Sequence, residues 1–71
     1  MAKYSAYMTL GQIMNVPELK AVVLKHLPGA EADPRYSMGK MYTLNEIKYE
    51  VDGALRATIE KIAADLGAVE Y

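Results

Sequence analysis

The sequence predicts an all-α fold, a single compact bundle of four or five short helices. Aliphatic residues recur at three- and four-residue steps over residues 19–27 and 44–66, which is the spacing of one apolar helix face. Two capping boxes precede these segments, and Pro17 and Pro28 flank the first of them. Helices that each expose an apolar stripe bury those stripes against one another.

The capping boxes mark the starts of two short helices. Thr9 is followed three residues later by Gln12, and Thr43 is followed in the same way by Glu46. In this motif the threonine side chain accepts from the backbone N–H of the third residue, whose own side chain accepts from the threonine N–H. We expect a short helix directly after each box, the first over about residues 10–14.

A longer amphipathic helix follows the first short one. Asn15 or Val16 caps it, and Pro17 suits its first position, where a missing N–H costs no hydrogen bond. Pro28 stops the helix, and Gly29 is free to adopt the left-handed cap conformation.

The second half leaves two alternatives open. Residues 44–66 keep a helical spacing throughout, although Gly53 inside that run costs about 1 kcal/mol relative to Ala. We favour a break at Asp52–Gly53, with the last helix starting near Gly53. Before this, Asp33 and Pro34 can start a short turn that carries Tyr36 and Met38 and ends near Gly39.

An internal repeat supports the break. Residues 9–13 match residues 43–47 at an offset of 34, and residues 19–25 match residues 55–61 at an offset of 36. Either the domain consists of two pseudo-symmetric helix pairs, or capping boxes and amphipathic helices recur by chance in an all-α chain. The predicted organisation is an N-terminal arm (1–8), a helical domain (9–67) with helix pairs at about 9–27 and 43–66 and a connector at about 28–42, and a C-terminal tail (68–71).

Composition excludes several classes of function. With no cysteine and one histidine, we expect no disulfide, thiolate metal site or histidine-rich metal site. Eight Lys and Arg against nine Asp and Glu give a net charge of −1, which does not favour binding to nucleic acid. No apolar run approaches the roughly 20 residues of a membrane span. The first residues show no secretory signal, so the cytoplasm is favoured although the compartment stays unknown.

Several short motifs carry a family resemblance. They are Thr9-Leu10-Gly11, Asn15-Val16-Pro17, His26-Leu27-Pro28-Gly29 and Met38-Gly39-Lys40-Met41-Tyr42-Thr43-Leu44. With these motifs, residues 8–66 resemble a small helical module appended, usually near the C-terminus, to bacterial glycoside hydrolases and esterases. Val16 and Tyr42 are insertions relative to that pattern. The resemblance implies an accessory domain without catalytic residues of its own, whose partner is a parent enzyme domain.

No catalytic, cofactor-binding or metal-binding residues are predicted, and we expect the chain not to be an enzyme. His26 ends a predicted helix, where the macrodipole favours a basic side chain and the last carbonyls offer partners. Neither Ser5 nor Ser37 lies at a diagnostic spacing from His26. The acidic residues are explained by caps and by solvated helix faces, and the glycines form no phosphate-binding loop.

Tyrosine and methionine form the most suggestive feature. All six aromatic residues are tyrosines, and there are five methionines. Both side chains suit protein interfaces. A candidate interaction patch in the arm and connector comprises Tyr4, Tyr7, Met8, Tyr36, Met38, Met41 and Tyr42. The same residues could instead pack over a small core.

We therefore predict a non-catalytic helical accessory or protein-interaction module, whose partner is another protein, a parent enzyme domain or a second copy of this chain. The alternative is a domain that binds a small ligand, such as a carbohydrate, in a pocket lined by tyrosine and methionine. No cofactor is expected in either case.

Overall fold

Residues 2–71, which the computed structural model describes, form five α-helices and one 3₁₀ turn and contain no β-strand. The elements are α1 (Leu10–Met14), α2 (Pro17–His26), the 3₁₀ turn (Ala30–Ala32), α3 (Pro34–Gly39), α4 (Leu44–Lys48) and α5 (Gly53–Gly67). The predicted all-α bundle is thereby confirmed. Met1, the first residue of the predicted arm, lies outside the described residues.

Both capping boxes are formed. At α1, the Gln12 N–H donates to Thr9 Oγ1 at 3.2 Å and the Thr9 N–H donates to Gln12 Oε1 at 2.9 Å. At α4, the corresponding distances between Glu46 and Thr43 are 3.2 Å and 3.0 Å. Because these bonds lie within four consecutive residues, the local sequence is sufficient to specify them.

The two long helices start as expected but with different caps. At α2, Val16 stands at the cap position without a side-chain hydrogen bond, and Pro17 occupies the first turn. At α5, Asp52 Oδ1 accepts from the Leu55 N–H at 2.9 Å, and Gly53 is the first helical residue. The predicted break at Asp52–Gly53 is therefore confirmed.

The end of α2 corrects one expectation. No glycine in residues 2–71 has a positive φ, so Gly29 does not provide a left-handed cap. The helix ends instead at His26, and Leu27 follows with a φ of −133° and a ψ of 77°. Proline disfavours the helical conformation of the residue before it, so Pro28 turns the chain out of the helix at Leu27, before Gly29 is reached.

The connector contains more helix than the sequence predicts. Asp33 Oδ1 accepts from the Arg35 N–H at 2.9 Å, and Pro34 then opens α3, a helix of six residues rather than a single turn. Tyr36 lies on this helix and packs against the bundle, whereas α3 as a whole packs mainly against the preceding 3₁₀ turn.

The core is small and built by the other four helices. Among residues 2–71, the buried side chains are all apolar, and α3 contributes none of them. They are Ile13 and Met14 of α1, Leu19 and Val23 of α2, Leu44 of α4, and Ile59, Ile62 and Leu66 of α5. Helix α5 packs against both α2 and α4, and α1 packs against α2.

Two antiparallel backbone contacts join distant parts of the chain. Thr9 and Thr43, the caps of the two short helices, lie opposite each other in an isolated bridge. Near the chain ends, the Ala2 N–H donates to the Tyr71 carbonyl at 2.6 Å and the Tyr71 N–H donates to the Ala2 carbonyl at 3.0 Å. The arm and tail are thereby held together on the surface of the bundle.

Candidate functional site

The predicted interaction patch divides into packed and exposed side chains. Tyr4, Met8 and Tyr36 are half-buried and pack against the core. The exposed set, called here the Tyr/Met surface, consists of Tyr7 (91% exposed), Met38 (75%), Met41 (75%) and Tyr42 (52%). Three of the predicted patch residues therefore pack over the core, and the other four are available to solvent.

Backbone hydrogen bonds join the start of α1, which directly follows the arm, to the connector. The Leu10 N–H donates to the Tyr42 carbonyl, and the Gly11 N–H donates to the Lys40 carbonyl, both at 2.9 Å. A Cβ at Gly11 would lie 3.0 Å from the Lys40 oxygen, so a larger residue there would require the Lys40 carbonyl to shift by a few tenths of an ångström. The segments that carry the Tyr/Met surface are therefore neighbours in the structure, although more than 25 residues separate them in sequence.

The half-buried members help to hold the arm in place. Burial raises the pKa of the Tyr4 hydroxyl above its ordinary value. The Tyr71 hydroxyl contacts Met8 Sδ at 3.8 Å, which links the tail to the arm beside the paired chain ends. Tyr4 and Met8 are therefore partly withdrawn from solvent, unlike the four residues of the Tyr/Met surface.

An apolar cleft of about 390 Å³ lies between α3 and the rest of the bundle. Its walls include the half-buried aliphatic side chains of Ile47, Val51 and Leu55, and Tyr36 faces them from α3. Of the seven predicted patch residues, Tyr36 is the one that lines this cleft. The lining contains no methionine among the described residues, so the cleft and the Tyr/Met surface are separate features.

The ionisable residues of the cleft lie near the turn that joins α2 to α3. They are His26, Asp33 and Arg35. Arg35 Nη2 donates to Asp33 Oδ2 at 2.8 Å, and Nε donates to the same carboxylate at 3.2 Å. These side-chain hydrogen bonds, with one from the Arg35 backbone, lower the pKa of Asp33 to about 2. The side-chain bonds also raise the pKa of Arg35, so the pair is ionised at neutral pH.

His26 has a partner that the sequence did not indicate. Its Nε2 lies 2.6 Å from Asp65 Oδ2, on the last turns of α5, rather than against the carbonyls that end its own helix. The histidine side chain is 21% exposed and the aspartate side chain 50% exposed. The pair connects the C-terminal ends of α2 and α5 at the border of the cleft.

Other chemically capable side chains are used locally. Ser5 Oγ accepts from the Tyr7 N–H at 3.2 Å, and Ser37 donates to the Pro34 carbonyl at 3.1 Å. Within residues 2–71, no three His, Asp or Glu side chains are grouped closely enough to hold a metal ion. The described helices also include none that is both long and apolar enough to cross a membrane.

Two further features were missed by sequence reasoning. Tyr49 is 74% exposed, and the Lys48 ammonium lies 5.9 Å from its ring centroid. It lies outside the arm and connector, to which the predicted patch was confined. The aliphatic lining of the cleft was the other: the alternative prediction was a pocket lined by tyrosine and methionine, but Tyr36 is the one tyrosine and no methionine is in the described lining. Ile47, Val51 and Leu55 have the same spacing as fully buried residues, and only the position of α3 leaves them accessible.

Fold and site together define a small all-α bundle with an apolar cleft and a separate Tyr/Met surface. Comparison of the chain with protein-family models, curated proteins and solved structures finds no match. The resemblance to modules appended to glycoside hydrolases and esterases therefore stays a prediction.

Proposed function

We propose that this chain is a non-catalytic helical module that binds another protein through its Tyr/Met surface. The observation that carries the proposal is the exposure of Tyr7, Met38, Met41 and Tyr42 on two segments joined by backbone hydrogen bonds. Tyrosine offers an apolar ring with a polar tip, and methionine adapts to irregular contacts. The expected partner presents an apolar surface with polar groups at its edge. The family resemblance makes a parent enzyme domain the first candidate.

Photo-crosslinking in the native cell tests this proposal. The photoreactive residue p-benzoylphenylalanine replaces Tyr42 in one variant and Tyr49 in the other, because both are exposed tyrosines but only Tyr42 belongs to the Tyr/Met surface. We expect one protein, identified by mass spectrometry, to be crosslinked from position 42 and not from position 49. The purified partner should then bind the wild-type chain at least tenfold more tightly than the variant Met41→Ser/Tyr42→Ser.

Three results would oppose this interpretation. They are equal crosslinking from both positions, no crosslinked protein from position 42, and equal affinity of the purified partner for both chains. A crosslink of the chain to itself would instead assign the surface to a homodimer. Sedimentation equilibrium at two concentrations would then show a species heavier than 7.9 kDa.

A second candidate function is the binding of a small molecule. The observation that favours it is the cleft, whose volume of about 390 Å³ lies within the roughly 300–1,000 Å³ of ligand pockets. Methyl NMR spectra of Ile47, Val51 and Leu55 during titration with small apolar compounds would detect binding there. Unchanged spectra would remove this candidate.

A further inference from the structure

The composition of the cleft restricts the ligand that it can hold. Along Ile47, Val51, Leu55 and Ile59 the lining is aliphatic. A sugar placed there would lose hydrogen bonds to water without gaining partners, which costs free energy for every buried hydroxyl. An aliphatic or aromatic group has no hydrogen bonds to water to lose, and its transfer from water into the cleft lowers the free energy. The body of a suitable ligand is therefore apolar.

The polar end of the cleft offers hydrogen-bond donors. Asp33 already accepts four hydrogen bonds from Arg35, one from its backbone and three from its side chain. A carboxylate has about four lone-pair sites, so Asp33 has little capacity left. An arginine has five N–H donors, of which Asp33 uses the Nε–H and one Nη2–H. Three donors of Arg35 are not engaged by Asp33.

Arg35 is also well placed to use those donors. Its side chain is 73% exposed, the residue lines the cleft, and its bonds to Asp33 favour one orientation of the guanidinium. His26, the other basic residue of the lining, is already held by Asp65 at 2.6 Å. The group best recognised at this end is therefore an acceptor, and a carboxylate forms the strongest hydrogen bonds with a guanidinium.

We propose that the cleft binds a small molecule with an apolar body and a carboxylate, and that Arg35 binds the carboxylate. This inference rests on the second candidate function, since it names the ligand class and anchoring residue of the same cleft. The apolar body lies along Ile47, Val51 and Leu55, and the carboxylate lies at the turn between α2 and α3.

Three probes that share one alkyl chain test the proposal. Octanoate, 1-octanol and octylammonium are titrated separately into the full chain, and the methyl NMR signals of Ile47, Val51 and Leu55 report binding. Ile13, which is completely buried and does not line the cleft, is the internal reference. We expect octanoate to bind about tenfold or more tightly than the other two probes, since hydrogen bonds to charged groups are the strong ones.

Two pairs of variants locate the site. Arg35→Gln should lower octanoate affinity about tenfold, whereas Lys61→Gln, with the same change of charge on an exposed residue of α5, should leave it unchanged. Arg35→Gln keeps the backbone N–H that Asp33 caps, so α3 should stay folded.

The second pair tests the location of the ligand. Gly39→Leu places a side chain toward Ile47, whose Cδ1 lies 3.8 Å from a Cβ built at position 39, and should abolish binding. Gly67→Leu, which points into open space, is its control.

The outcomes separate the ligand class from the existence of a binding site. Equal affinity for octanoate and 1-octanol, or no effect of Arg35→Gln, would overturn the role of Arg35 while leaving the cleft as a binding site. Binding of octanoate to the Gly39→Leu variant with unchanged affinity would overturn the location. No response of the cleft methyl groups to any probe would overturn both this inference and the second candidate function.

Discussion

In the first half of the bundle, Ile13 and Leu19 are completely buried, whereas their counterparts in the second half, Ile47 and Leu55, are half-buried and line the cleft. The two halves nevertheless begin alike. The caps Thr9 and Thr43 have φ values of −75° and −74° and the same ψ of 161°. Equivalent helix starts therefore lead to different degrees of burial further along the chain.

The difference lies in what covers each half. The arm and tail are joined by two backbone hydrogen bonds between Ala2 and Tyr71, and Tyr4, Met8 and Tyr71 pack against the core. The connector packs mainly on itself, so it leaves a cleft where Ile47 and Leu55 lie.

Truncation of the matched leucines should show the largest contrast. Leu19→Ala should lower the free energy of unfolding by about 2–5 kcal/mol, because it leaves a cavity in a closed core. Leu55→Ala should cost roughly 1 kcal/mol, because its side chain already borders an open cleft. Urea unfolding followed by circular dichroism measures both values.

If Leu19→Ala does not fold, a matched pair of smaller truncations tests the same contrast. Ile13→Val should cost about 0.5–1.5 kcal/mol, and Ile47→Val should cost less. Equal losses within either pair would contradict the difference in burial between the halves.

The second contrast concerns the approach of the connector to α1. Gly11→Ala should lower the free energy of unfolding by about 1–3 kcal/mol, because the new Cβ would lie 3.0 Å from the Lys40 carbonyl oxygen. Asn45, the counterpart of Gly11 in α4, is exposed, and Asn45→Ala should change stability by less than about 0.5 kcal/mol. Thermal unfolding of both variants provides the comparison. An unchanged midpoint for Gly11→Ala would show that the Lys40 carbonyl moves away from the new Cβ without loss of stability.

The two capping boxes should contribute equally to the free energy of unfolding. Thr9→Ala and Thr43→Ala should each cost about 1 kcal/mol, since each removes one side-chain acceptor from a helix start. The serine variants Thr9→Ser and Thr43→Ser keep the hydroxyl and should retain most of that stability. Losses in urea unfolding that differ by more than about 1 kcal/mol between the two alanine variants would show that the boxes are not equivalent.

The smallest expected effect is confined to acid solution. The folded pKa of Asp33 is lowered to about 2 from an ordinary value of 3.8, so its ionised form is favoured by folding. The resulting stabilisation is present above pH 3.8 and is lost as the pH falls towards about 2. An NMR titration of the Asp33 carboxyl carbon should show a midpoint of about 2, and Arg35→Gln should raise it towards 3.8. A midpoint that is the same in both chains would refute the role of Arg35.

Sequence reasoning succeeded where the causes were local. The capping boxes at Thr9 and Thr43 and the break at Asp52 depend on hydrogen bonds between residues three apart. It failed at Gly29, because Pro28 had already turned the chain out of the helix at Leu27. For the candidate site, composition indicated Tyr7, Met38, Met41 and Tyr42, but it could not separate them from Tyr4, Met8 and Tyr36, which pack on the core.

By itself, the sequence determined the all-α class, the helix starts and the repeated spacing of apolar residues, because these follow from propensity and from contacts within one or two turns. The tertiary structure alone decided that Ile47 and Leu55 border a cleft while Ile13 and Leu19 are enclosed. It also decided that His26 meets Asp65, 39 residues away. Such contacts depend on how the arm, the tail and the connector pack against the bundle. This packing is the sum of many weak long-range interactions, which no local sequence pattern encodes.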